Sequence, residues 1–100
     1  SSIVHAMASV MPDFNKEVSV DEISTALKLM QMEGYKDSRN GEPVPSLNEK
    51  AIKQHLMFLE RMQLVIANTS KTKYSFAAEL YRLFFRKEKK LHVFEERRLK

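Results

Sequence analysis

One hundred residues, 43% of them hydrophobic and 30% charged, close around a single core, which excludes a two-domain chain and the compositions of disordered or collagenous proteins. With a formal charge of +4 and no cysteine, a disulfide framework and a thiolate zinc site are excluded, and His5, His55 and His92 are scattered without metal-ligand spacing. No apolar run approaches the roughly twenty residues of a membrane span, and the polar opening residues lack a signal-peptide core, so the expectation is an intracellular protein, nuclear if its source is eukaryotic.

In chain order, Ile3, Val4, Met7, Ala8, Val10 and Met11 recur at three and four residues and predict a first helix from Ser2 to Met11, closed by Pro12. Val18 is a candidate for one short strand pair ahead of the second helix. Ser19-Val20-Asp21-Glu22 has the form of a capping box, with the Ser hydroxyl accepting the Glu22 amide and the Glu carboxylate accepting the Ser19 amide. That predicts a second helix from about Val20, with Val20, Ile23, Ala26, Leu27 and Met30 on its apolar face and Gly34 ending it after Glu33.

Residues 35–45 have the composition of a long loop. Ser46-Leu47-Asn48-Glu49 repeats the capping box, with Ser46 as the cap, and the third helix has no breaker before Gln63. Leu64 to Ala67 is rich in strand formers, Asn68 to Thr72 supplies turn formers, and Lys73 to Phe76 alternates, so a β-hairpin follows, with Asn68 or Ser70 taking any positive φ. From Ala77 onward, Leu80, Leu83, Phe84, Leu91 and Phe94 share one face of a fourth helix. The expected fold class is mainly α with a small β-hairpin (α+β), one domain over 1–100 with its core at about 3–76 and an amphipathic helix at about 77–96.

Three helices, the third running straight into a two-stranded hairpin, resemble the winged helix-turn-helix family. The likeness is carried by the capped run Ser46-Leu47-Asn48-Glu49, then Leu56, Leu59-Glu60 and Leu64-Val65 leading into the wing. It implies three helices plus a wing, with the C-terminal helix as an addition. Two departures stand out. Residues 34–45 are a longer connection than the three or four residues of compact helix-turn-helix units, and resemble the C-terminal winged helices of replication-initiator and origin-recognition ATPases and those of transcription and chromatin assemblies. The wing also has no glycine at its tip.

Charge is segregated along the chain. Residues 1–45 hold four Lys and Arg against seven acids, a balance of −3, and residues 46–100 hold thirteen against six, a balance of +7. Segregation of this kind points to an anionic partner such as nucleic acid. At about 100° per residue, Lys50, Lys53, Gln54, Met57 and Arg61 fall in one sector of helix three, with Ile52, Leu56, Leu59 and Gln63 opposite and His55 near the buried edge. Lys and Arg suit phosphates or guanine edges, Gln54 an adenine, and Met57 a thymine methyl. Lys71 and Lys73 on the wing would meet the flanking backbone.

Helix four carries Arg82, Arg86, Lys87, Lys89 and Lys90, together with a second apolar stripe of Tyr81, Phe85 and His92. Apolar groups over so wide an arc suggest a covering partner, a second copy or another chain, unless Tyr81 and Phe85 pack over helix one. No phosphate loop, nucleophile elbow or metal motif occurs, so no catalytic residue, metal, cofactor or small-molecule substrate is expected. Two functions remain: a non-catalytic module binding double-stranded DNA through helix three and the wing, or a protein-interaction or homodimerisation module of a replication, transcription or chromatin complex, acting through the C-terminal helix.

Overall fold

A computed structural model describes residues 2–36 and 44–86. The elements run α1 (Ser2–Ser9), β1 (Val18–Ser19), α2 (Val20–Met32), α3 (Glu49–Arg61), β2 (Val65–Ala67) and β3 (Lys73–Phe76), followed by a fourth helix, α4, described over 79–86. This is a small α+β fold with a three-stranded antiparallel sheet of order β1-β3-β2, compatible with the winged helix expected above. The short strand expected at Val18 forms, pairing Val18 with Tyr74 and Ser19 with Lys73.

The core lies between α1, α2, α3 and the inner face of the sheet. Ile3, Met7, Met11, Ile23, Ile52, Leu56, Val18, Val65 and Phe76 are its largest fully buried side chains. The helical members are spaced three or four apart, because burying such a stripe is what stabilises helices of 8 to 13 residues that are marginal alone, while Met11 follows α1 and Val18, Val65 and Phe76 come from the three strands.

α2 forms as its sequence predicts. Ser19 Oγ accepts the Glu22 amide at 3.2 Å, Glu22 Oε1 accepts the Ser19 amide at 3.2 Å, and Gly34 takes φ +77° after the last turn. The amides of Gly34 and Tyr35 donate to the carbonyls of Gln31 and Met30, the paired bonds of a Schellman end.

Several boundaries differ from expectation. α1 stops at Ser9, and Val10 and Met11 continue as tighter turns onto the carbonyls of Met7 and Ala8, because the residue before Pro12 is driven out of the α region. α3 begins at Glu49 with Asn48 as its cap, its Oδ1 accepting the Ala51 amide at 2.8 Å. Ser46 instead accepts a bond from Gln31 Nε2 at 3.0 Å, which also holds the Val44 carbonyl and ties the returning chain to α2. α3 ends at Arg61, since Gln63 adopts φ +63° and the amides of Gln63 and Leu64 donate to Glu60 and Leu59. Gln63 is therefore exposed and off the buried face, and His55 is exposed too.

In the hairpin, Lys71 takes the positive φ of 57° instead of Asn68 or Ser70. Asn68 is occupied in closing the loop: its carbonyl accepts the Lys71 amide, its Oδ1 accepts the amides of Thr72 and Lys73, and the left-handed residue falls just after that turn. α4 starts two residues later than Ala77, whose amide donates to the Leu64 carbonyl and extends the sheet edge. Most of the residues expected to form a loop at 35–45, namely 37–43, and Leu91, His92 and Phe94, expected on a fourth helix, lie outside the described residues.

The largest correction concerns the orientation of α4. Leu80, Leu83 and Phe84, expected to face the core, are 76%, 47% and 60% exposed, whereas Arg82 is 6% exposed and Phe85 is partly buried. Arg82 Nη1 donates to the carbonyls of Met11 and Pro12 at 2.9 and 3.1 Å, and Arg86 Nη1 donates to those of Ala8 and Met11 at 2.7 and 3.0 Å. The end of α1 has no basic residue of its own. Two guanidinium groups from α4 supply donors to the Met11 and Pro12 carbonyls and a second bond to the Ala8 carbonyl, which already accepts the Met11 amide, and they sit at the negative pole of the α1 dipole.

Candidate nucleic-acid interface

The outer face of α3 is free. Lys50, Lys53, Gln54, Met57 and Arg61 are all exposed, while Ile52, Leu56 and Leu59 on the opposite side are buried. Asn48, Glu49, Lys50, Lys53, Gln54 and Met57 line a shallow cleft along the first turns of the helix. A neutral amide donor and acceptor, two ammonium groups and a thioether thus share one surface, with Arg61 further along the helix.

The charges are less available than their number suggests. Lys53 Nζ lies 3.2 Å from Glu49 Oε1, one turn back on the same helix. Lys71 Nζ lies 3.3 Å from Glu60 Oε1 and Lys73 Nζ lies 3.9 Å from Glu22 Oε1. Among the described residues, Lys50 and Arg61 form no ion pair, which makes them the least encumbered cations of α3.

The ion pairs also show which predicted residues belong together. Lys71, held near Glu60, puts the hairpin loop beside the C-terminal half of α3. The loop is stiffened by the Asn68 bonds and by Tyr74 Oη, which donates to the Lys71 carbonyl at 3.1 Å. Lys73 leaves that group: its strand neighbour is Ser19 and its ammonium faces Glu22 of α2, which also meets Lys16 at 3.5 Å. The Ser19 amide, then the nearby Lys16 and Lys73, hold the Glu22 carboxyl below its ordinary value.

Sequence reasoning missed the apolar neighbours of this face. Phe58, Met62 and Ile66 are 56%, 54% and 52% exposed. Their signal was present, since Phe58 and Met62 are four apart and off the Ile52-Leu56-Leu59 stripe. Arg82 and Arg86 were read as part of a basic surface, and the structure assigns them to the end of α1.

On α4, Tyr81 is exposed at 36%, and His92 lies outside the described residues. Phe85 turns inward: its ring meets His5 edge-on at 5.4 Å and stacks near Phe76 at 5.8 Å, and its carbonyl accepts a bond from His5 Nδ1 at 3.2 Å. The free apolar surface of α4 is therefore made by Leu80, Leu83 and Phe84, not by Phe85.

No group of three His, Asp or Glu able to hold a metal ion occurs among the described residues, and no helix among them is long and apolar enough to cross a membrane. No family model, curated protein or solved structure matches this chain.

Proposed function

We propose that the chain is a winged helix that binds double-stranded DNA without catalysis, presenting α3 to the major groove and the β2–β3 hairpin to the flanking backbone. The observation that supports this most is the exposed row Lys50, Lys53, Gln54, Met57 and Arg61 on a helix whose other side is fully engaged in the core. A helix held by its apolar stripe, with amide and basic side chains outward, has the chemistry that base edges and phosphates require.

The ion pairs refine the roles. Lys50 and Arg61 make their phosphate contacts without first giving up a carboxylate, while Lys53 and Lys71 must exchange Glu49 and Glu60 for phosphate. Fluorescence anisotropy with a random-sequence duplex, titrated with salt, tests the reading. Binding should weaken steeply with salt, Lys50→Ala should reduce the log–log salt slope by about 1, and Glu60→Gln should tighten binding by releasing Lys71. A duplex that does not bind, or that binds equally well to Lys50→Ala and Arg61→Glu, overturns the assignment.

The competing use as an interaction module is favoured by one observation, the exposed Leu80, Leu83 and Phe84 of α4.

A further inference from the structure

Among the described residues that line the cleft at the start of α3, Glu49 alone is a carboxylate. It does not cap the helix. Asn48 does that, its Oδ1 accepting the Ala51 amide at 2.8 Å, and Glu49, with its side chain 65% exposed, is engaged only by Lys53 Nζ at 3.2 Å. An acid in a first turn favours any helix through the dipole, but that role does not require a place in the cleft beside an amide and a thioether.

Docking on DNA makes that place consequential. A phosphate takes Lys53 only by displacing Glu49, which leaves a carboxylate unpaired against a polyanion, a loss on any duplex. Major-groove base edges offer one group that satisfies it. The 4-amino group of cytosine is a donor, whereas guanine presents only acceptors there, and thymine an acceptor and a methyl. Adenine sets its amino donor beside an acceptor, which suits an amide better than a carboxylate that only accepts. Gln54, exposed in the same cleft, carries such an amide, and Met57 beside it is 49% exposed. Glu60 differs, since it pairs with Lys71 outside this cleft and meets no base-reading neighbour there.

We propose that Glu49 is a specificity residue of the DNA site: it accepts a bond from the 4-amino group of one cytosine and, where no cytosine stands opposite, keeps Lys53 from the phosphates and repels the backbone. The inference rests on the DNA reading above and goes beyond it, because exposed cations alone serve a duplex of any sequence. Lys53 is released to phosphate only on the right sequence, so one side chain both favours a cytosine and penalises its absence.

Selection of the full chain on duplexes with a randomised centre, followed by fluorescence anisotropy on a selected and a shuffled duplex, tests it. The wild type should enrich a cytosine at one position and bind that duplex about tenfold more tightly than the same duplex with thymine there. Glu49→Ala, at an exposed helical position that suits alanine, should leave the far-UV circular dichroism unchanged. It should bind the shuffled duplex more tightly than the wild type does, with a log–log salt slope steeper by about 1 as Lys53 becomes available. In selection it should lose the cytosine and keep the other preferred bases. If Glu49→Ala tightens binding to cytosine and thymine duplexes by the same factor, Glu49 is a counterion only and the proposal is overturned. A wild type that binds with steep salt dependence but enriches no cytosine also overturns it, and in both cases the DNA reading stands. A chain that binds no duplex overturns the DNA reading itself and this proposal with it.

Discussion

α3 and α4 are both amphipathic and both rich in Lys and Arg, yet they present opposite sides to the core. α3 buries Ile52, Leu56 and Leu59 and exposes its lysines. α4 buries Arg82, engages Arg86 with carbonyls and exposes Leu80, Leu83 and Phe84. The difference lies in what each helix meets. α3 packs on the apolar faces of α2 and α1, where only hydrocarbon fits. α4 meets the turn that follows α1, where the carbonyls of Met11 and Pro12 need donors, and a guanidinium with five N–H groups supplies them where a leucine would leave them unpaired. Periodicity tells which side chains share a face, and the surface opposite decides which face turns inward.

Three substitutions sharpen that contrast, the largest effect first. Leu56→Ala, at a site with no exposure, should destabilise the fold by about 3 kcal/mol in chemical denaturation, the cost of an unfilled core cavity. If α4 were packed in the same way, Leu80→Ala would cost as much.

Arg82→Met should come next, lowering the melting temperature by less than Leu56→Ala does, because it strands the Met11 and Pro12 carbonyls. It should also change the acid response. The hydrogen bond from Arg82 holds the Glu79 carboxyl below its ordinary value of 4.5. A carboxyl depressed by folding adds stability that is present above that value and is lost as pH falls through its lowered folded value. Glu22 contributes in the same direction through the Ser19 amide. In Arg82→Met the Glu79 share should vanish and the Glu22 share remain, so urea midpoints of the variant should fall less between pH 5 and pH 3 than those of the wild type.

Leu80→Ala should be the smallest, within about 0.5 kcal/mol, as for other exposed positions, when measured at a concentration where the chain is monomeric. A loss near that of Leu56→Ala would mean that α4 packs by its leucines after all.

Much of the fold was legible because the deciding interactions are local. The Ser19–Glu22 box, the left-handed Gly34, the apolar stripes of α1 to α3 and the hairpin with its Asn68 turn each depend on residues within a few positions of one another. The outer row of α3 was legible for the same reason. Where local signals compete, distant groups chose between them. Ser46 and Asn48 could each cap α3, and Gln31 engages Ser46. Gln63 has no glycine's freedom, yet takes the left-handed turn because Leu64 must leave α3 to start the strand at Val65.

The sequence alone determined where the helices and strands lie to within a few residues at their ends, and which side chains of α1, α2 and α3 share a buried face, since hydrophobic spacing and capping chemistry act within one element. Tertiary structure alone decided that Lys71 and Lys73 stand beside Glu60 and Glu22, that Lys73 belongs with α2 and not with α3, and that the arginines of α4 close the end of α1. Each of those outcomes joins groups from different elements, and no local pattern encodes where two elements will meet.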